Sequence, residues 1–174
     1  FSKICQNADF PKGVINIVHG YGNKVGDALS RHPNVPIISF TGGTSTGEKI
    51  AKVAAPMFKK LSLELGGKNP NIIFEDAEFD NAVTMSAKAA FSNQGQICLC
   101  GSRLFVQESI YDNFRTAIIK ETKSLKVGDP KDEESNLGAI VSKSHMEKIL
   151  KCIDIAKEEG GEILTGGKRI ILEG

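Results

Sequence analysis

The chain has 174 residues, of which 40% are hydrophobic and 25% are charged, the mix of a soluble globular protein. Its 22 lysines and arginines nearly balance 21 aspartates and glutamates, so the net charge is +1 and we expect neither a nucleic-acid nor a membrane partner. No apolar run approaches the ~20 residues of a membrane helix, and four scattered cysteines favour a reducing cytoplasm over a disulfide scaffold.

Short apolar runs alternate with helical patterns in the first part of the chain. The β-branched run 13–18 predicts a buried strand, and Pro56 predicts the end of a helix. In the first predicted helix, Val25, Ala28 and Leu29 are expected to face inward. The predicted elements are a strand at 13–18, a helix at 23–31, a strand at 36–40, a helix at 44–55 and an alternating strand at 60–65.

The alternation continues to the end of the chain. The predicted elements are a strand at 71–74, a helix at 80–92, a strand at 103–107, helices at 110–125 and 142–159, and short strands at 163–165 and 169–172 around a Gly166-Gly167 turn. The last helix has an inward stripe of Met146, Ile149, Leu150 and Ile153. Strands that alternate with helices imply βαβ units and an α/β fold with mostly parallel sheet.

Histidine and cysteine spacing argues against a bound metal. The chain has no C-x-x-C pair, and its three histidines, at positions 19, 32 and 145, are not at ligand spacing. The first residues, Phe1 and Ser2, are neither an initiator methionine nor the start of a secretory leader. We therefore expect an internal piece of a longer protein that holds no metal.

Two glycine clusters follow predicted strands. In the first, residues 20–26, the third glycine comes one residue too late for a dinucleotide fingerprint, so a plain turn is favoured. The second, residues 42–47, has the glycine spacing of a phosphate loop, but Glu48 stands where such a loop needs lysine. A phosphate-loop kinase or ATPase is therefore excluded. What remains is a helix N-terminus whose free N–H groups could face a phosphate.

Two further residues are candidates for chemistry. Glu64 lies in an apolar strand, where an unpaired charge is costly, so it is either paired or has the raised pKa of a proton-transfer group. Cys98 lies among small polar residues in a loop between a helix and a strand. Such a cysteine is either a reactive thiolate or a small buried hydrophobe, and residue physics alone leaves both alternatives open.

Taken together, these segments resemble the aldehyde dehydrogenase superfamily. Residues 63–70, Leu-Glu-Leu-Gly-Gly-Lys-Asn-Pro, resemble the family's glutamate motif, and residues 91–103 resemble its cysteine motif. Cys98 follows Glu64 by 34 positions, an interval typical of the family. Further matching segments are residues 10–18, 40–47, 126–130 and 137–138, so the resemblance covers essentially the whole chain.

The resemblance implies a fold and a reaction. Residues 1–66 would end a Rossmann-type coenzyme-binding domain, and residues 67–174 would begin a parallel-sheet catalytic domain. Cys98 would attack an aldehyde, its main-chain N–H would help to hold the oxyanion, and Glu64 would activate the water that hydrolyses the thioester. The product is a carboxylic acid, and the oxidant is NAD, with NADP as an open alternative.

The resemblance also implies the coenzyme-binding residues, which are Gly22, Asn23, Thr41, Gly42, Gly43, Gly47, Leu65, Gly66 and Lys148. Two positions depart from the family pattern: His145 replaces a common glutamine, and Gly43 stands where many members have serine. Cys100, where many members have alanine, is interpreted as a small packing residue. Because other family residues of the active site belong outside the chain, we expect the isolated 174 residues to be inactive.

Alternatives remain for the function. Cys98 and Glu64 could serve a thioesterase or acyl-transfer enzyme without a redox step, and a non-catalytic protein derived from the family is a further possibility. Residues 95–100 resemble the branch that includes betaine-aldehyde and muconic-semialdehyde enzymes, which favours a small semialdehyde as substrate. The longer protein is expected to be a cytoplasmic homo-oligomer.

Overall fold

The computed structural model describes residues 1–172, which divide into two compact units. The first unit is Phe1–Leu65, and the second begins at Gly66. The Gly66-Gly67 pair that starts the second unit has no side chains to bury, which suits a connection between separately packed units. The identification of these units as parts of a coenzyme-binding and a catalytic domain stays a prediction.

The first unit is built around one pair of parallel strands. Its elements are α1 (Ser2–Asn7), a π-helical turn (Gly22–Gly26) that leads into α2 (Asp27–Arg31), β1 (Ile37–Gly42), α3 (Thr44–Ala54) and β2 (Lys60–Leu65). Strands β1 and β2 pair in parallel, from Ile37 opposite Lys60 to Gly42 opposite Leu65. Parallel strands need a crossover, and α3 provides it. The predicted strand–helix–strand unit at 36–65 is therefore confirmed.

Helix α2 packs differently from the prediction. A helical segment does follow Gly22, but Ala28 and Leu29 are exposed and the buried residue is Ser30, whose hydroxyl donates to the Gly26 carbonyl at 2.8 Å. The Lys59 ammonium, which follows α3, donates to the carbonyls of Ser30 and His32 at 2.7 Å each. These two bonds satisfy carbonyls at the end of α2 that have no partner within the helix. The inward face of α2 is thus set by polar contacts.

Three predicted strands are wrong. Residues 13–18 are irregular, Gly13 has a φ of +85°, and Val14 and Val18 are each 62% exposed. Residues 163–165 and 169–172 are irregular as well, although Gly166 and Gly167 do take the positive φ of the predicted turn. A strand exists only where a neighbour accepts its hydrogen bonds, and none of these segments has one within residues 1–172.

The second unit repeats the parallel arrangement. Its elements are β3 (Pro70–Ile73), α4 (Phe79–Phe91), β4 (Arg103–Val106), α5 (Tyr111–Ser124) and α6 (Lys143–Glu158), which confirms the five predicted elements between 71 and 159. Strand β3 pairs with β4 in parallel, from Pro70 opposite Arg103 to Ile73 opposite Val106, and α4 is the crossover. One face of this sheet supports the core of the unit.

That core is centred on Phe114 of α5. Its side chain is fully buried against Ile73 and Val83, and the Phe79 ring meets it edge to face, with centroids 5.8 Å apart. Alternation along β3 places Ile73 on the covered face, and the helical repeat of α4 places Val83 opposite it. The core therefore depends on β3, α4 and α5 packing together.

The predicted inward stripe of α6 faces irregular chain. Met146, Ile149, Leu150 and Ile153 are half-buried and line a cleft of 650 Å³, whose other walls include residues 137–140 and 167–170. Ser142 caps the helix, because its hydroxyl accepts the N–H of His145 at 3.2 Å. The helix prediction is confirmed.

The polar connection before α6 is ordered by its own hydrogen bonds. Val127 bridges Leu137, and the Lys126 backbone N–H donates to the Asn136 side chain at 2.7 Å. The backbone N–H of Glu134, and then the Lys126 ammonium, lower the pKa of the Asp132 carboxyl below its ordinary value. Residues 126–137 thus form a closed surface loop.

Truncation of the buried ring tests the core. Phe114→Ala is expected to lower the free energy of unfolding by about 3–5 kcal/mol, because it leaves a cavity lined by Ile73 and Val83. Phe74→Ala is the matched control, since Phe74 is 62% exposed, and it should cost about 0.5 kcal/mol or less. Urea unfolding measures both variants. Equal losses from the two substitutions would show that Phe114 does not hold the core.

Candidate active site

The carboxyl ends of β1 and β2 bring together residues from two separate strands of the first unit. Thr41 lies opposite Glu64 in the parallel register, and Gly42 lies opposite Leu65. Ligands of parallel α/β sheets bind at this edge, beyond the carboxyl ends of the strands. Four of the predicted site residues therefore meet where such a fold places a ligand.

The start of α3 fits a phosphate group. Gly43 is the N-cap residue and supplies no side-chain hydrogen bond, so the first N–H groups of α3 have no partner within the helix. A Cβ added at Gly43 would meet nothing within 4 Å, which leaves the approach to these groups open. The helix dipole favours an anion at the same point. The residues present thus fit the pyrophosphate of a dinucleotide.

The predicted coenzyme glycines divide into two structural types. A Cβ at Gly22 or Gly66 would meet nothing within 4 Å, as at Gly43. A Cβ at Gly47 would lie 2.6 Å from a methyl carbon of Leu65, and Gly47 is buried. Gly47 therefore has a packing role that the sequence pattern does not reveal: it lets α3 approach the end of β2.

Glu64 does not meet the expectation of a buried charge. Its side chain is exposed within the first unit, and no residue of the described chain pairs with its carboxylate. The expected cost of a charge inside an apolar strand is therefore absent here. The carboxylate is accessible to water at the same edge as Thr41 and Gly42.

Cys98 lies in a strained loop between α4 and β4. The loop begins with three consecutive positive φ angles, 50° at Asn93, 57° at Gln94 and 70° at Gly95. Cys98 is exposed, whereas Cys100 is 6% exposed. The alternative of a small buried hydrophobe is therefore wrong for Cys98, and it describes Cys100.

Hydrogen bonds fix the peptide groups around Cys98. The carbonyls of Gln96, Ile97 and Cys98 each accept a hydrogen bond at 3.2 Å, from the Asn93 side chain, the Cys100 N–H and the Asn69 side chain, respectively. In a trans peptide the N–H points away from the preceding C=O. Because the Ile97 carbonyl is turned towards Cys100, the Cys98 N–H points the opposite way, and no acceptor among residues 1–172 takes it.

The remaining predicted residues lie in different places. Asn23 is exposed in the π-helical turn of the first unit, and Lys148 is exposed on α6 of the second. Gln96 accepts the N–H of Val141 at 3.2 Å, so the cysteine loop is tied to the segment that leads into α6. The hydrogen bonds of Asn69 with Cys98 and of Gln96 with Val141 were not predicted from the sequence, since each joins residues far apart in the chain.

The described residues form neither a membrane span nor a metal cluster. No helix among residues 1–172 is long and apolar enough to cross a membrane. Within the same part of the chain, no three metal-ligating side chains gather as a cation site.

Comparison with known proteins adds family information. The sequence profile of the aldehyde dehydrogenase family matches residues 1–174. A 2-aminomuconic semialdehyde dehydrogenase of Mus musculus is 51% identical over 95% of this chain, and a betaine aldehyde dehydrogenase of Bacillus subtilis is 45% identical over 96%. The chain spans 34% of the length of each of these two relatives.

Solved structures show the same fold. A crystal structure of betaine aldehyde dehydrogenase from Staphylococcus aureus in complex with NAD+ matches with a TM-score of 0.95 and 44% identity, over 99% of this chain and 34% of that one. The predicted aldehyde-dehydrogenase-like α/β fold is therefore confirmed.

A larger residue at position 47 tests the close approach of α3 to β2. Gly47→Val is expected to lower the free energy of unfolding by about 1–3 kcal/mol, because the added carbons overlap Leu65. Gly43→Ser is the matched control: the space is open and serine is a favoured N-cap, so stability should rise by about 0.3 kcal/mol. Urea unfolding measures both. A wild-type stability for Gly47→Val would contradict the packing role.

Proposed function

Because this chain belongs to the aldehyde dehydrogenase family, we propose that it carries the nucleophile, the general base and part of the coenzyme site of an enzyme that oxidises an aldehyde to a carboxylic acid. The geometry at Cys98 is the observation that carries the proposal. An exposed thiol stands beside a main-chain N–H that is turned away from the loop and has no acceptor within the described residues. This is the pair of groups that addition to a carbonyl requires.

The chemistry begins at the Cys98 sulfur. The thiolate adds to the aldehyde carbon, a C–S bond forms, and the carbonyl oxygen becomes an oxyanion that the Cys98 N–H stabilises. Bound NAD would supply the hydride acceptor for this adduct, and Cys98 would then carry a thioester. Covalent attachment holds the reacting carbon in one place and makes the transfer intramolecular.

Glu64 is the proposed general base for hydrolysis of the thioester. Its carboxylate takes a proton from water as the water oxygen attacks the thioester carbon, the C–S bond breaks, and Cys98 leaves as the thiolate. The exposure of Glu64 at the carboxyl edge of β2 supports this role, since a general base must reach water. The products are the carboxylic acid and the free nucleophile.

The coenzyme would lie across the edge where β1 and β2 end. The free N–H groups at the start of α3 and the open space at Gly43 support a dinucleotide phosphate there. Thr41, Gly42 and Leu65 lie at the same edge, and Lys148 is proposed to contact the nicotinamide ribose. NAD is favoured because a similar solved structure holds NAD+.

The proposed substrate is a small semialdehyde. The proposed enzyme is a homo-oligomer in the cytoplasm. A relative 51% identical to this chain is named a 2-aminomuconic semialdehyde dehydrogenase, which supports the substrate class. All four cysteines are free thiols, which suits a reducing compartment. The homo-oligomer rests on the family resemblance.

Removal of the nucleophile tests the proposed reaction. In the longer protein that contains this chain, Cys98→Ala is expected to abolish NADH formation with every member of a panel of semialdehydes and simple aldehydes, because no C–S bond can form. Cys152→Ala is the matched control, since Cys152 is another exposed free thiol, and it should keep the activity. Wild-type rates in Cys98→Ala would contradict the proposal.

Neutralisation of the base separates the two halves of the reaction. Glu64→Gln is expected to slow steady-state turnover by about 10²–10⁴-fold, the usual contribution of a general base, while the first turnover still releases a burst of NADH. Stopped-flow absorbance measures burst and steady state together. Glu48→Gln, a change in an exposed carboxylate of α3 that pairs with Lys52, should leave both unchanged. If the burst disappears along with turnover, Glu64 acts before thioester hydrolysis.

A further inference from the structure

We propose that Asn69 is a positioning residue for Cys98: its side-chain amide holds the Cys98 carbonyl and so fixes the direction of the peptide groups beside the nucleophile. The Asn69 amide nitrogen donates to this carbonyl at 3.2 Å across 29 positions of the chain. The inference rests on the proposed function, since it concerns how the nucleophile adds to an aldehyde.

Asn69 is itself held in place. The backbone carbonyl of Asn69 accepts the N–H of Arg103 at 3.2 Å, and this bond continues the β3–β4 pairing by one residue. It precedes Pro70, and the proline ring restricts the backbone of the preceding residue to extended conformations. The donor therefore projects from the residue immediately before β3, and Asn69 is half-buried.

The cysteine loop needs such a donor. Asn93 and Gln94 are non-glycine residues with left-handed φ angles, a conformation that costs about 1–2 kcal/mol per residue. The turn from Ile97 to Cys100 is closed by a single backbone bond. A strained segment next to a one-bond turn relaxes unless other contacts restrain it. Asn69 is the restraint that reaches the loop from the sheet.

The restraint matters for one kind of reaction at sulfur. Addition to a carbonyl develops an oxyanion, and its stabilisation depends on where the Cys98 N–H points. Alkylation by iodoacetamide is a substitution at a saturated carbon, in which iodide leaves and no oxyanion forms. It depends on the exposure of the thiolate, which Cys98 already has. The rate of addition to an aldehyde therefore reports on the orientation of the Cys98 peptide, whereas the rate of alkylation reports only on access to the thiol.

The test replaces Asn69 in the longer, active protein. Asn69→Ala is expected to lower the NADH burst rate and kcat by about 10- to 100-fold, the cost of a misplaced reacting group. Alkylation of Cys98 by iodoacetamide, followed by peptide mass spectrometry, should change by about twofold or less, an ordinary surface effect. The dissociation constant for NAD should be unchanged, since the hydrogen bonds of Asn69 go to Cys98 and Arg103, neither of which is proposed to hold the coenzyme.

Asn71→Ala is the matched control. The Asn71 amide donates to Ser86 at 3.0 Å, so this variant also loses a side-chain amide bond of β3, but it leaves the Cys98 carbonyl bonded. It should lower the melting temperature and keep kcat.

Three outcomes would overturn the proposal for Asn69 and leave the proposed function standing. They are equal losses of kcat in the two variants, a parallel fall of alkylation and turnover in Asn69→Ala, and a wild-type kcat in Asn69→Ala. Absence of aldehyde-dependent NAD reduction by the wild-type protein would overturn the proposed function as well.

Discussion

Parallel pairing of successive strands sets the topology of both units and the position of the candidate site. A parallel pair cannot be closed by a tight hairpin, so α3 carries the chain from β1 to β2, and α4 does the same between β3 and β4. Both strands of a pair then end at the same edge. This is why Thr41 and Gly42 meet Glu64 and Leu65, although no side-chain hydrogen bond joins them. Backbone pairing thus places three of the candidate coenzyme residues, Thr41, Gly42 and Leu65.

The same pairing determines where the second unit obtains its stability. Ile73 and Val106 face the helices and pack against the buried Phe114. Their neighbours Ile72 and Phe105, which pair on the opposite face, are 58% and 54% exposed. Parallel sheets ordinarily bury both faces. The described chain therefore draws its hydrophobic stabilisation in this unit from one face of β3–β4 and from α4 and α5.

The cysteine loop shows how strain and restraint combine at a candidate nucleophile. Positive φ angles at Asn93 and Gln94 direct the chain out of α4 and towards β4. Donors from the loop itself and from Asn69 hold three successive carbonyls, and the Cys98 N–H points away from the bond between Ile97 and Cys100. The Gln96 contact with Val141 ties the same loop to the start of α6, the helix that carries Lys148. Packing elsewhere in the unit thus maintains a conformation that the loop alone would not keep.

Local patterns in the sequence were enough to identify most of the elements and the candidate nucleophile. Hydrophobic periodicity is local, so it identified α3, α4, α5, α6 and the four paired strands, and the residues around Cys98 and Glu64 carried the family resemblance. Periodicity could not show that residues 13–18 have no partner strand in the described part of the chain, that Glu64 is exposed, or that Ser30 faces inward. Those outcomes, like the bond from Asn69 to Cys98, depend on segments far apart in the chain. Only the tertiary structure decides them, because a hydrogen bond or a buried surface needs both partners in place.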